Sequence, residues 1–233
     1  MNISIELLKF ISIFNVSFKR EVEPFGRHLA YRNIPQQLDL RETGFVGKVH
    51  NQGNCNSCWA FSAAGSIEYH VGKEVSVQNI IDCSPDTYGC GGGLMSHVFE
   101  YYDFFPLKYE YHYKKEKCMP HYRGAHVKNY VALESDIENN LPFILQQWGP
   151  VAVGVDFKSL RKYRGGIIKP DDCGLNSHHA ALVVGYTPNY WIVKNSLGTN
   201  WGDKGYAYVS HGHNTCGIDQ TYATVATEVE LKS

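Results

Sequence analysis

Three residue types that can act together on a carbonyl lie at the ends of candidate elements. Cys58 heads a stretch in which Phe61, Ala64, Ile67 and Val71 recur at helical spacing, with Ser57 placed as N-cap and Gly72 as stop. This predicts a helix beginning at or near Cys58. At that position the unpaired backbone N–H groups and the macrodipole favour a thiolate and lower the thiol pKa. His178 and His179 precede a β-rich run, Ala181 to Tyr186, and Asn195 follows another, Tyr190 to Lys194. Neighbouring strand ends can bring an imidazole and an amide together, and with a thiolate these form a nucleophile, a base and an orienting group. Gln52, in the loop ahead of Cys58, can pair its side-chain amide with the Cys58 N–H to hold a developing oxyanion, at roughly 3 kcal/mol per donor.

These residues need a frame. The 233 residues are 43% hydrophobic and 19% charged, enough for one sizeable core or two small lobes and too few for several domains. Lys and Arg number 22 against 23 Asp and Glu, so no global field recruits nucleic acid or an anionic membrane. No apolar run reaches the ~20 residues of a membrane span, and the apolar stretch from Met1 to Phe18 is broken by Glu6 and Lys9, so no signal peptide is clear.

The cysteines are Cys55, Cys58, Cys83, Cys90, Cys118, Cys173 and Cys216. Six can form three bridges and leave one free, a pattern that points to an oxidising compartment, although spacing alone does not choose the pairing. Cys55 and Cys58 together match a redox pair or half a zinc site, but the chain has no second CxxC, and neither reading uses the His and Asn runs. His112, His121, His126, His211 and His213 are too scattered to suggest a metal, and none is expected.

Around the chemistry, helices are expected over Ser76 to Cys83 and Leu94 to Phe105. A further helix is expected to start near Leu141, so that Pro142 falls in its first turn, and to run to Trp148. From Pro150 onward the runs Val151 to Asp156, Ala181 to Tyr186, Tyr190 to Lys194, Tyr206 to Val209 and Tyr222 to Val229 read as strands. A helical part followed by a β part is an α+β arrangement with a groove between lobes.

The run Asn51-Gln52-Gly53-Asn54-Cys55-Asn56-Ser57-Cys58-Trp59-Ala60-Phe61-Ser62 resembles the active-site block of papain-like cysteine proteases. His179-Ala180-Ala181-Leu182-Val183-Val184-Gly185-Tyr186 resembles that family's histidine block, Tyr190-Trp191-Ile192-Val193-Lys194-Asn195-Ser196 its asparagine block, and Trp201-Gly202-Asp203-Lys204-Gly205-Tyr206 extends the match. Ile34-Pro35 with Asp39-Leu40-Arg41 resembles the start of a mature enzyme. Within the family the likeness is to enzymes of the cathepsin O type, then the cathepsin L type.

The resemblance implies a papain-like two-lobe α+β fold over residues 34–228, with a helical lobe at about 43–140 and a β-barrel-like lobe at about 141–228. Residues 1–33 are then a leader or the remnant of a pro-segment. It implies Cys58 as nucleophile, His179 as base and then acid, Asn195 as orienting group and Gln52 as oxyanion donor. It pairs Cys55 with Cys90, Cys83 with Cys118, and Cys173 with Cys216, each bridge contributing roughly 3 to 4 kcal/mol in the loop-entropy picture. Gly92 and Gly93 would bond the substrate backbone. Leu94, Met95, Gly154, Ser177 and Thr221 would line an uncharged pocket favouring a hydrophobic side chain at the second position before the scissile bond. No cofactor is implied. Partners would be peptide or protein substrates and cystatin-like inhibitors, the chain a monomer, and the setting lysosomal or extracellular.

Four positions depart from the family pattern. Leu197 stands where a Trp usually shields the His–Asn hydrogen bond from water, which implies a weaker or more pH-sensitive enzyme. His178 replaces a usual Asp or Asn, Asn56 a usual Gly, and Leu40 a usual Trp. The alternative reading is a weakly active or inactive protein whose cleft binds peptides or inhibitors.

Overall fold

The computed structural model describes residues 17–18, 34–43, 46–85, 87–101, 104–107, 111–119, 121–133, 136–219 and 222–232. The helices are α1 (Cys58–Val71), α2 (Val77–Cys83), α3 (Met95–Tyr101) and α4 (Ile137–Trp148). The strands are β1 (Ser17–Phe18), β2 (Leu38–Asp39), β3 (Gly124–Leu133), β4 (Val151–Val155), β5 (Ile167–Ile168), β6 (His179–Tyr186), β7 (Tyr190–Lys194), β8 (Tyr206–Ser210) and β9 (Ala223–Lys232). They join in one sheet in the order β1-β3-β9-β4-β6-β7-β8-β5, with β2 beside β6. The α+β class expected from the sequence holds, but this path is open and does not close as a barrel.

Every residue of β6 after His179 is buried, because the strand is covered on both faces. Ala181 and Val183 point into one core with Leu141, Leu145, Val153, Trp191 and Trp201. Leu182 and Val184 point into a second core with Trp59, Ile67, Ile80, Val98 and Phe105. The period of two along the strand thus assigns alternate side chains to the helical and the β side. Burying each of these large apolar side chains contributes about 1.5–3 kcal/mol. Helix α1 lies on β6 at close range: a Cβ on Gly65 would sit 2.5 Å from the Leu182 Cδ2, so a larger residue there would displace the Leu182 side chain.

The helix over 58–71 begins at Cys58 as its periodicity predicts and stops at Gly72, which takes the left-handed conformation. Ser76 caps α2, accepting from the Asn79 N–H at 3.1 Å. Two expectations change. Helix α3 ends at Tyr101, because Phe105 leaves the helix to exchange backbone hydrogen bonds with Ala125. Helix α4 starts at Ile137, a turn earlier than expected, so Pro142 sits in its interior. The tertiary anchors outweigh the lost ladder bond: Ile137, Leu141, Ile144 and Leu145 are all buried, and Asp219 accepts from the Glu138 N–H at 2.8 Å. Strand β3 was not anticipated. Its length is set by pairing with β9 over Gly124 to Leu133, a long-range partner that no local pattern shows.

Candidate active site

Six cysteines form the bridges Cys55–Cys90, Cys83–Cys118 and Cys173–Cys216, the pairing that the resemblance implied. Cys58 is the free thiol. It is the first residue of α1, and the cap ahead of it departs from expectation. Ser57 occupies the N-cap position but makes no capping bond; its hydroxyl donates to the Tyr111 hydroxyl at 2.7 Å, which in turn donates to the Gln52 carbonyl. The Ala60 and Phe61 N–H groups bond to the Ser57 carbonyl, and the Trp59 N–H stays available for negative charge at Cys58, where a capping oxygen would otherwise compete for it.

Across the cleft, β6 begins at His179, in register with Val155, and β7 ends one residue before Asn195. The His179 Nε2 and Asn195 Oδ1 lie 2.7 Å apart, and Oδ1 also accepts from the Ser196 N–H at 2.8 Å. Because the amide oxygen is the acceptor, Nε2 is the protonated nitrogen and Nδ1 faces the thiol. Behind the imidazole, Phe157 stacks at a centroid distance of 6.0 Å and itself packs on Trp201 at 5.9 Å. The Asn195 Nδ2 is buried with no hydrogen-bond partner among the described residues.

Desolvation pushes the Cys58 thiol pKa up, but the hydrogen bond and charge of His179 outweigh it, helped by the Ala180 and Trp59 N–H groups, and the net shift is down. Desolvation likewise pulls His179 down, but its hydrogen bond and attraction to Cys58, with the bond to Asn195, carry it above the usual histidine value. Opposite shifts stabilise a thiolate–imidazolium pair. The pair is lost when pH falls through the lowered thiol pKa or rises through the raised imidazole pKa. Alkylation of Cys58 by iodoacetamide is therefore expected to change less than threefold from pH 8 to pH 6. An ordinary thiol, with a pKa near 8.5, slows about tenfold per unit, and that slope would refute the pairing.

Gln52 is held from both ends. Its carboxamide oxygen accepts from the Ser196 hydroxyl at 2.6 Å and its Nε2 donates to the Cys55 carbonyl at 2.9 Å, leaving one amide N–H without a protein acceptor among the described residues. The backbone bonds Gln52 N–H to Ser196 C=O and Gly198 N–H to His50 C=O tie the loop before α1 to the loop after β7. Ser196 and Tyr111, which donates to the Gln52 carbonyl at 2.7 Å, were not singled out from the sequence. Ser196 adjoins Asn195, which was the available signal; Tyr111 lies far along the chain in a tyrosine-rich stretch and packs edge-on against Phe61.

Two cavities bear on the site, and His179 lines the first of them. One, of about 830 Å³, is lined by Gln52, Asn56, Phe157, His178, His179, Leu197 and Trp201, among others. The other, of about 330 Å³, is lined by Leu94, Met95, Tyr130, Leu133 and Ala223, but also by His97 and Glu100. Leu94 and Met95 are thus brought together on one cavity wall. Gly154 and Ser177 do not line that cavity: Gly154 is taken up by pairing with Ala180 in the sheet, and Ser177 is exposed ahead of β6. Glu100 brings a carboxyl to a pocket expected to be uncharged. Gly93 lies over the Trp59 ring, which a Cβ would approach to 2.7 Å, and Gly92 has φ +124. Thr221 lies outside the described residues. Among the described residues no group of three His, Cys, Asp or Glu side chains converges on a metal-sized site, and no helix is long and apolar enough to cross a membrane.

An α+β fold with a free thiol heading a buried helix, an imidazole leading a neighbouring strand and an amide tied to that imidazole defines a cysteine–histidine–asparagine class of site. The family model described as papain family cysteine protease matches residues 34–226, so this chain belongs to that family. Human cathepsin O is 37% identical over 221 residues, covering 85% of this chain and 68% of cathepsin O. The structure of digestive procathepsin L2 from Tenebrio molitor larval midgut superposes with a TM-score of 0.77 at 36% identity, covering 83% of this chain and 68% of that one. Bromelain from Ananas comosus, in complex with the E64 inhibitor, gives a TM-score of 0.76 at 29% identity over 83% of this chain and 99% of its own.

Proposed function

We propose that residues 34–228 form a cysteine endopeptidase domain that cleaves peptide bonds through a thioester. What supports this most is the free Cys58 thiol, its pKa lowered against His179, with His179 tied to Asn195. The Cys58 sulfur attacks the scissile carbonyl carbon, and the oxyanion is held by the Cys58 N–H and the Gln52 amide. As the C–N bond breaks, the proton on His179 goes to the leaving amine. A water then loses a proton to His179 and attacks the thioester, releasing the acyl product and restoring the thiolate. Asn195 keeps the imidazole in the tautomer and plane that both transfers need.

Leu94, Met95, Leu133 and Ala223 favour a hydrophobic residue at the second position before the cleaved bond, with His97 and Glu100 in the same lining as the competing polar influence. A fluorogenic peptide series varied there is expected to show kcat/KM about tenfold higher for Leu, Val or Phe than for Arg, a difference of about 1.4 kcal/mol. Preference for Arg would overturn this and assign control to Glu100; failure to cleave any member would overturn the proteolytic reading itself.

Leu197 lines the cleft beside His179, and the neighbouring Asn195 Nδ2 has no partner among the described residues. An indole at 197 would cover the His179–Asn195 bond better. Leu197→Trp is expected to raise kcat/KM about threefold, worth under 1 kcal/mol, and to broaden the pH optimum. An unchanged rate and profile would show that this departure does not limit the enzyme.

Three disulfides fit an oxidising setting, lysosomal or extracellular, and the open cleft fits capture by cystatin-like inhibitors of a monomeric enzyme.

A further inference from the structure

The chain is nearly neutral, yet the walls of its larger cavity are not. Lys158, Arg161 and Arg164 line it together with His178, and no aspartate or glutamate does. All four are exposed. None of the three long cations forms an ion pair with a described carboxylate. Among the described residues Arg164 donates only to the neighbouring Tyr163 carbonyl, at 3.1 Å; Asp156 is buried and accepts from the backbone N–H groups of Lys158 and Asn176, and Asp172, tied to this turn through Ser159, accepts from the Lys169 N–H. The short 3-10 turn Lys158–Lys162, anchored by the buried Leu160, holds this edge of the cleft in place. Unpaired cations along a concave wall focus potential and select anionic partners.

The side of the cleft is set by the chemistry. The leaving amine must lie within reach of the protonated His179, and His179 lines this cavity but not the one at Leu94 and Met95. The chain released first therefore lies along Lys158, Arg161 and Arg164. Resting on the proteolytic reading above, we infer that these three cations make the enzyme select substrates carrying Asp or Glu within the first few residues after the scissile bond.

The test uses the full chain and internally quenched peptides with one common sequence before the scissile bond and Asp, Ala or Lys after it. The acidic peptide is expected to be cleaved with a kcat/KM about five- to tenfold above the alanine peptide, the lysine peptide below it, and the ratio is expected to shrink toward one at about 0.5 M salt, where screening reaches only a few ångströms. In the charge-reversed Lys158→Glu/Arg161→Glu variant the order is expected to invert, an outcome that misfolding cannot imitate. Equal cleavage of the three peptides, a preference for lysine in the unmodified chain, or an order untouched by charge reversal would each overturn the inference and leave the proteolytic reading standing. Cleavage of none of the peptides would overturn both.

Discussion

Replacing His179 with alanine is expected to lower kcat/KM by about four orders of magnitude, and adding Cys58→Ala to that variant is expected to cost less than a further tenfold. Residues that act as one unit are strongly non-additive, because once the base is gone the nucleophile contributes little on its own. The geometry makes them such a unit: the low thiol pKa of Cys58 depends on His179, and the raised pKa of His179 depends on Cys58. Side chains of this kind can also be lost without losing the fold, since His179 stands at the start of β6 and Cys58 at the first position of α1. Steady-state kinetics on the two single variants and the double variant check this, with thermal unfolding as control. Losses that multiply, or a His179→Ala enzyme within tenfold of the parent, would show that the two do not work together.

The second large effect concerns stability. Glu68 and Lys194 are both buried, at 3% and 8% exposure, and both reach the backbone at Gly47, close enough to interact through their charges without a direct hydrogen bond. Burial pushes the Glu68 carboxyl up and the Lys194 amine down, each resisted by the other's charge. Each has a fixed bond to the backbone: Glu68 accepts from the Val75 N–H at 3.1 Å, and Lys194 donates to the Gly47 carbonyl at 2.6 Å. Lys194→Met leaves a buried carboxylate uncompensated and is expected to destabilise the fold by about 3–5 kcal/mol, whereas the double variant Glu68→Gln/Lys194→Met is expected to recover most of that. For a chain of this size the single variant loses on the order of 10 °C in Tm. Urea unfolding of the three proteins decides it. A single variant within about 1 kcal/mol of the parent would show that the pair is solvated, contrary to its burial. Lys194 directly precedes Asn195, so this pair also steadies the strand end on which the site depends.

Much of this was legible in the chain because it is local. The helix at Cys58 follows from the spacing of Phe61, Ala64, Ile67 and Val71, and the strands carrying His179 and Asn195 follow from short β-branched runs. The disulfide pairing did not follow from any local pattern and came from the resemblance. Strand β3 stayed hidden because its partner β9 is about a hundred residues away, and the early start of α4 because Ile137 and Glu138 are fixed by a distant core and by Asp219. At the site, local reading placed Ser57 as a cap, while Tyr111, 54 residues on, takes its hydroxyl instead. Glu100 was invisible as a pocket residue for a similar reason: α3 must first be packed on the sheet before its carboxyl faces the cavity below Leu94.

The central claim is that Cys58 is a thiolate activated by His179. Its most direct test is intact mass of the unreduced chain after exposure at mildly acidic pH to a cysteine-directed epoxide inhibitor of papain-like proteases, with His179→Ala treated in parallel. One adduct, mapped to Cys58 and absent from the variant, is the expected result. No adduct on the folded parent chain, or equal labelling of both proteins, would contradict it.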